Sequence, residues 1–548
     1  MSTRPSVPAL WWGQVRHANR SFWRTPVAAF FTLVFPLSFL VILLGVVGNP
    51  TLDDRSGIRL AQFLAPVFAV YGVAMASFAS FAIGVATDRE SGVLKRIRGT
   101  PLSPRLYLAG RVGSATWVSL IAVVLLLGVG VVVYEVEVLG RTWVALVVTL
   151  ALGIACFATL GLAVVAVVPT ASGVNAVTTG LLIPLAFISD IFGFGELPTW
   201  LERLGWVFPL KHLANAVADD LNPYLSGSGW YADHLLVMAA WTVGGLLVAA
   251  RYFRWEPRRG TSLGRHGTTG AAVPAGAAAG AVGAVGAVTV NRAPAASALL
   301  WGQVRHANRM TLRDAGAVFF SVVFPVLLLV FFGIANEGSR FLGVDLEQYT
   351  TPVFAVYGIA VAAYVNLPEA VTQSRERGVL KRLRGSPLPP WAYIGGRIGS
   401  AFFVAAVITA VTLLAGIAFF GVRISLGRAP VFVLVLLVGT ACCAALGLMV
   451  AGLVGSTRTV TAVTLGTLLP LSFVSGIFLL SDELPTLLNV IGWTFPLRHF
   501  AVAAFQATGP AAIDWGDLGV HLAVLLAWTV GAAAVAWRFF RWEPRAAG

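Results

Sequence analysis

Apolar runs of about 20 residues, each long enough to cross a bilayer, recur along the chain with short polar breaks between them. In the N-terminal half they cover about 26–47, 60–87, 106–133, 143–168, 174–192 and 234–250. Six crossings are therefore predicted, and the breaks fall alternately on the two sides of the membrane. Ahead of the first run, Trp11, Val15, Ala18 and Phe22 repeat at helical spacing with Arg16, Arg20 and Arg24 opposite them. This pattern predicts a helix lying in the membrane interface, aromatics in lipid and arginines toward headgroups.

The break after the second run has a pattern of its own. Residues 89–102 begin Arg89-Glu90-Ser91-Gly92-Val93-Leu94-Lys95-Arg96-Ile97-Arg98 and end Gly99-Thr100-Pro101-Leu102. Val93, Leu94 and Ile97 share one helical side, Lys95, Arg96 and Arg98 the other, and the glycine and proline supply a stop. A short amphipathic helix outside the hydrocarbon is predicted, with Thr87 and Glu90 spaced as a capping box at its start. Residues 193–233 are neither a good span nor a polar loop. Broken by glycine and proline, they predict short amphipathic helices dipping into the outer leaflet, packed against protein or a cavity.

After residues 260–298, an Ala/Gly-rich stretch read as a flexible cytoplasmic linker, the whole pattern returns. Residues 12–20 reappear unchanged as 301–309, placing Arg305 and Arg309 where Arg16 and Arg20 stand, and 89–102 reappear as 375–388. Ala65–Gly72 matches Thr351–Gly358, Trp206–His212 matches Trp493–His499, and the spacing between copies stays at 286–289 throughout. Domains are thus a first unit over 1–259, the linker, and a second unit over 299–548. An even number of spans makes the copies parallel, related by a pseudo-twofold axis along the membrane normal with a pathway between them.

Composition agrees with an all-α integral membrane protein of about twelve spans. Of 548 residues 57% are apolar and only 11% charged, with mean hydropathy +0.83, which excludes a soluble chain. The net charge of +14 is spread over short loops and forms no nucleic-acid-binding stripe. Nineteen Lys and Arg lie in residues 1–259, and the predicted layout puts all but Arg55, Arg59, Arg141, Arg203 and Lys211 on one side. By the positive-inside bias that side is cytoplasmic and holds both termini, in the plasma membrane of the cell. Cys156, Cys442 and Cys443 lie within apolar runs, so no disulfide or metal site is indicated, and no signal peptide precedes Trp11.

Chemistry is sparse. No Gly-x-x-x-x-Gly-Lys-Ser/Thr loop occurs, Leu225–Gly229 reads as a plain turn, and His17, His212, His234, His306, His499 and His521 fall at predicted interfaces as headgroup or cap contacts. Within the spans only Asp190 and Glu369 stand out, near span ends, and their counterparts Gly476 and Ile83 are uncharged. Ion-coupled carriers hold charged groups deep in the bundle. Energy is therefore expected to arrive from elsewhere, at the duplicated charged helix.

These features resemble the permeases of ABC-2 type transporters, in particular drug-resistance export permeases. The resemblance rests on the interfacial helix, the Arg-Glu-x-Gly-Val-Leu-Lys-Arg-x-Arg-Gly-x-Pro-Leu helix between spans two and three, and the Leu-Pro-bearing re-entrant segment before span six. It covers all but the linker and implies two parallel six-helix repeats of the type V exporter kind. It also implies a separate ATP-binding subunit, two copies of which carry the ATP and Mg, with no cofactor and no catalytic residue in this chain. Glu90, Gly92, Lys95, Arg96, Glu376, Gly378, Lys381 and Arg382 would then contact the ATPase. The alternative is that these charges anchor a loop to lipid headgroups. The second and fifth spans would line an export path for hydrophobic or amphiphilic compounds, with Phe68, Tyr71, Phe187, Phe354, Tyr357 and Phe473 facing it; ordinary span packing is the competing reading.

Two other functions fit the outline. A secondary carrier of the major-facilitator kind also has two parallel six-span halves, and residues 84–92 resemble its loop, but Ser374 stands where the second copy needs an Asp. A membrane-bound lipid-modifying enzyme would need a polar catalytic cluster, and the sequence offers none.

Overall fold

A computed structural model describes residues 6–51, 58–100, 102–192, 197–255, 295–480 and 484–543. The predicted linker falls almost wholly on 256–294, outside the described residues. Each half is built from ten helices. The first has the interfacial helix α1 (Val7–Trp23) and then spans α2 (Pro26–Val47) and α3 (Leu60–Glu90). The short α4 (Val93–Arg98) leads to spans α5 (Pro104–Tyr134), α6 (Trp143–Val167) and α7 (Ala171–Ile188). The re-entrant pair α8 (Thr199–Gly205) and α9 (Pro209–Asp220) precedes the last span, α10 (Ala232–Tyr252).

The second half repeats them as α11 (Ala296–Arg313), α12 (Ala315–Ala335), α13 (Leu346–Glu376), α14 (Val379–Arg384) and α15 (Pro390–Phe420). It continues with α16 (Leu426–Leu453), α17 (Thr457–Val474), α18 (Thr486–Thr494), α19 (Pro496–Thr508) and α20 (Trp515–Phe539). Among the described residues twelve helices are long and apolar enough to cross a membrane. Among the described residues the only strands are a hairpin, β1 (Arg340–Phe341) and β2 (Val344–Asp345), between the first two spans of the second half. We call the end of the bundle that carries α1, α4 and their copies the basic end.

The second spans are the central posts. Their apolar stretches are 83% and 89% buried, against 17% and 22% for α10 and α20 at the periphery. The first spans carry matching π-helical turns at Phe30–Val34 and Phe319–Val323. Each turn runs into a proline, Pro36 or Pro325, which has no N–H to offer the carbonyl four residues back, at Thr32 or Ser321. The post approaches that carbonyl closely because it carries glycine there. A Cβ on Gly72 would lie 3.1 Å from the Thr32 oxygen, and one on Gly358 2.6 Å from that of Ser321.

The halves meet by crossing over: α7 packs on α12 and α17 on α2, so each fifth span lies against the first span of the other half. Phe39 meets Phe473 edge-on at 4.7 Å and Phe187 stacks on Phe331 at 5.4 Å across this seam. Facing aromatic pairs add about 0.5–1.5 kcal/mol each beyond the area they bury.

Candidate functional site

At the basic end, the post α3 stops and reverses into α4 at Gly92, whose φ of +72° suits a residue without Cβ; Gly378 does the same at +68°. The six-residue helix then shows the face read from its sequence. Leu94 is fully buried with Val93 and Ile97 beside it, while Lys95, Arg96 and Arg98 are exposed. Leu380, Lys381, Arg382 and Arg384 repeat this in the second copy.

Ahead of Ser91 and Gly92, Arg89 and Glu90 reach back to the ends of neighbouring spans, the arginine buried and the glutamate at the surface. Arg89 is buried and donates to the carbonyls of Val165 (2.5 Å), Val168 (2.6 Å) and Pro169 (2.9 Å) at the end of α6. Glu90 Oε1 accepts the amide of Ala171 at 2.7 Å, the first residue of α7. Arg375 likewise donates to Ala451 (2.8 Å) and Val454 (2.7 Å), and Glu376 accepts the Thr457 amide at 2.9 Å and its hydroxyl at 2.8 Å. The chemistry suits the positions: the last carbonyls of a helix lack intrahelical donors and carry partial negative charge, and the first amides the reverse. The capping box expected from Thr87 and Glu90 does not form. Thr87 sits inside the helix, its hydroxyl donating to the Ile83 carbonyl at 2.8 Å, because α3 continues unbroken through Glu90.

Directly before Arg89 in the first copy, Asp88 accepts from the Tyr107 hydroxyl at 2.6 Å and pairs with Arg111 of α5. In the second copy Arg397 lies over the Tyr393 ring at 5.4 Å and meets the Ser374 hydroxyl, at 3.5 Å, where the first copy has a carboxylate. The interfacial helices lie along the third spans. Val15, Ala18, Val304 and Ala307 are buried there, Trp11 Nε1 donates to the Ala109 carbonyl at 3.2 Å, and Arg16, Arg20, Arg305 and Arg309 are exposed with His17 and His306.

Toward the opposite end, the seam between the halves opens into an apolar cavity of about 260 Å³. Phe187 and Phe473 border it together with Phe39, Phe192, Phe331 and Phe478. Phe68, Tyr71, Phe354 and Tyr357 do not border it: they are buried in the posts one layer behind, against Phe39, Phe192, Phe324, Phe332 and Phe478. The posts reach the cavity with Leu60 and Leu346. First spans supply the aromatic wall that the sequence had assigned to second spans, since the crossover seats them directly over the fifth.

The re-entrant helices carry polar partners that sequence reading missed. His212 Nδ1 lies 2.8 Å from His234 Nδ1, and His499 Nδ1 2.8 Å from His521 Nδ1, all four rings buried. They are not headgroup contacts. With His212 Nε2 2.7 Å from the Trp206 carbonyl and His499 Nε2 2.9 Å from that of Trp493, each Nε2 must donate outward, leaving the Nδ1 atoms to share one proton between rings. Trp206 stacks on His234 and Trp493 on His521. Lys211, read as an outer-loop charge, is buried and pairs with Asp190 at 3.0 Å. The only signal available was the identity of Trp-x-Phe-Pro-Leu-x-His in both halves.

Among the described residues no three His, Cys, Asp or Glu side chains converge as a metal site. Two matching six-span bundles, tied at one end to short basic helices and meeting around an apolar cavity, define a polytopic membrane transport subunit. A family model described as ABC-2 type transporter matches residues 8–220 and 297–507, most of the chain and all of each half up to its last span, and the chain belongs to that family. The assignment does not favour the secondary-carrier reading. No curated protein matches the chain.

Proposed function

We propose that this chain is the permease of an ATP-driven exporter. Two copies of a separate ATP-binding subunit, which carry the ATP and Mg, dock under the paired helices α4 and α14 at the cytoplasmic face of the cell membrane, where both termini lie. Hydrophobic or amphiphilic compounds, drug-like or lipid-like, leave along the seam between the halves. The observation that carries this reading is the pair of matching amphipathic helices, each seated by a buried leucine and presenting Lys95 and Arg96, or Lys381 and Arg382, outward. Such a surface selects an acidic complement and steers its approach.

A cavity of about 260 Å³ lies just below the ~300–1,000 Å³ of pockets for drug-sized ligands. Cargo therefore passes only when the walls part, and the Phe39–Phe473 contact at 4.7 Å is the one that must open. Reversing Lys95, Arg96, Lys381 and Arg382 to Glu is expected to abolish co-purification of the ATP-binding subunit while the chain stays folded in detergent. Unchanged co-purification, or transport by the purified chain driven by an ion gradient alone, would falsify the reading.

A further inference from the structure

The dipeptide before each basic helix ties together the ends of three spans. Arg89 and Glu90 are the last turn of α3; the guanidinium holds the final carbonyls of α6, and the carboxylate holds the first amide of α7. Only Ser91 and Gly92 separate them from α4. Arg375 and Glu376 repeat this on α16 and α17. Charge-assisted bonds of this kind are short and about twice as strong as neutral ones. Here they connect residues about 80 apart in sequence, 76 to 81 positions by count.

What lies beyond the joint gives it a consequence. The fifth spans that start at Ala171 and Thr457 carry Phe187 and Phe473, which border the cavity, and they pack on the first spans of the opposite half. Each fifth span is helical from its first turn to its phenylalanine, with Pro184 or Pro470 three residues before it as the point of least stiffness, so a displacement entering at the first turn is carried to the proline and swings the last turn beyond it.

We propose that Arg89-Glu90 and Arg375-Glu376 are positioning residues that make each basic helix, the end of span four and the start of span five one rigid body, so that a push on α4 or α14 moves the Phe187 and Phe473 walls. This deepens the exporter reading and rests on it for the source of the push. It gives Glu90 and Glu376 work inside the chain, whereas Lys95, Arg96, Lys381 and Arg382 meet the partner.

The test has two arms. In the complex with its ATP-binding subunit, Glu90→Ala with Glu376→Ala is expected to leave co-purification and ATP hydrolysis intact while transport per ATP falls about tenfold, the scale of coupling energies between sites. Glu90→Gln with Glu376→Gln, which keeps the acceptor oxygen, restores most of it. Binding lost in step with transport would instead make the glutamates partner contacts and overturn the proposal, as would unchanged transport. The second arm uses the chain alone, so it holds even if no ATP-binding subunit is captured and the exporter reading falls. Leu94→Ala, which unseats α4, is expected to speed amide exchange at the first turn of α7 severalfold in an otherwise natural chain and to add nothing once Glu90→Ala is present. Independent, additive effects of the two changes sink the joint.

Discussion

The two halves differ most where they carry charge. Both keep the Arg-Glu joint, the glycine turn, the basic helix and the paired histidines, in nearly superposable detail. Only the first half closes Asp88 onto Arg111 and Asp190 onto Lys211; the second has Ser374 with Arg397, and Gly476 with Arg498 turned to Asn489 at 2.7 Å. Asp190 even holds the left-handed φ of +61° that Gly476 adopts at +72°. Similarly, Asp219 and Asp220 face Gln506 and Ala507 across the repeat. These two ion pairs are thus additions to one copy, and the hydrogen bonds that reach helix ends are common to both. The lesson is that the repeat itself separates machinery from embellishment.

The largest effect expected from this contrast lies in a feature both halves share. Gly358→Ala is expected to cost about 3 kcal/mol, and Gly72→Ala less, because a Cβ meets the facing carbonyl at 2.6 Å in one and 3.1 Å in the other; thermal unfolding of the two variants in one detergent ranks them, and a reversed order would mean the first span gives way more easily in the second half. Next comes Asp88→Asn, which leaves the largely buried Arg111 guanidinium without its counter-charge and is expected to lower stability by about 2 kcal/mol. The mirror change Ser374→Asp supplies Arg397 with the missing carboxylate and is expected to raise the unfolding temperature. No change in either variant would show the asymmetry to be neutral.

Smallest per unit of the variable changed is an effect of pH. Asp220 is wholly buried, its carboxylate oxygens meet no donor among the described residues, and burial followed by the Asp219 charge pushes its carboxyl up to about 7. The unfolded carboxyl titrates at its ordinary 3.8, so this group's contribution is fullest below 3.8, is lost as pH rises toward about 7, and is flat above that. The slope is no steeper than about 1.4 kcal/mol per pH unit. Asp220→Asn should remove that slope from the unfolding free energy between pH 5 and pH 7, and a slope that survives the change assigns it to other groups.

Much of this architecture is legible in the sequence because a bilayer makes its demands locally. Run length gives the spans, repetition gives the two halves, and the positions of Val93, Leu94 and Ile97 against Lys95 and Arg96 give the buried and exposed faces of α4. Polar partnerships are another matter. The capping box read at Thr87 and Glu90 is a local pattern, and it loses to a partner at Ala171 that only packing brings near. His212 and His234 look like surface histidines until the re-entrant helix folds back on the last span, and Lys211 looks solvated until it meets Asp190. The aromatic positions chosen on the second spans are buried, yet the crossover of halves puts Phe39 and Phe331 at the cavity in their stead. Periodicity tells which way a side chain faces; it does not tell what waits there.

The crossover has a further consequence for a chain that holds both copies. Since α7 leans on α12 and α17 on α2, neither wall of the seam is made by one half alone. A single substitution here alters one of two nominally equivalent corners and leaves its twin natural, a mixed state that an assembly of identical subunits never samples. Joining the two copies in one chain lets each corner carry its own residues, and the Asp88–Arg111 and Asp190–Lys211 pairs of the first half are such one-sided features.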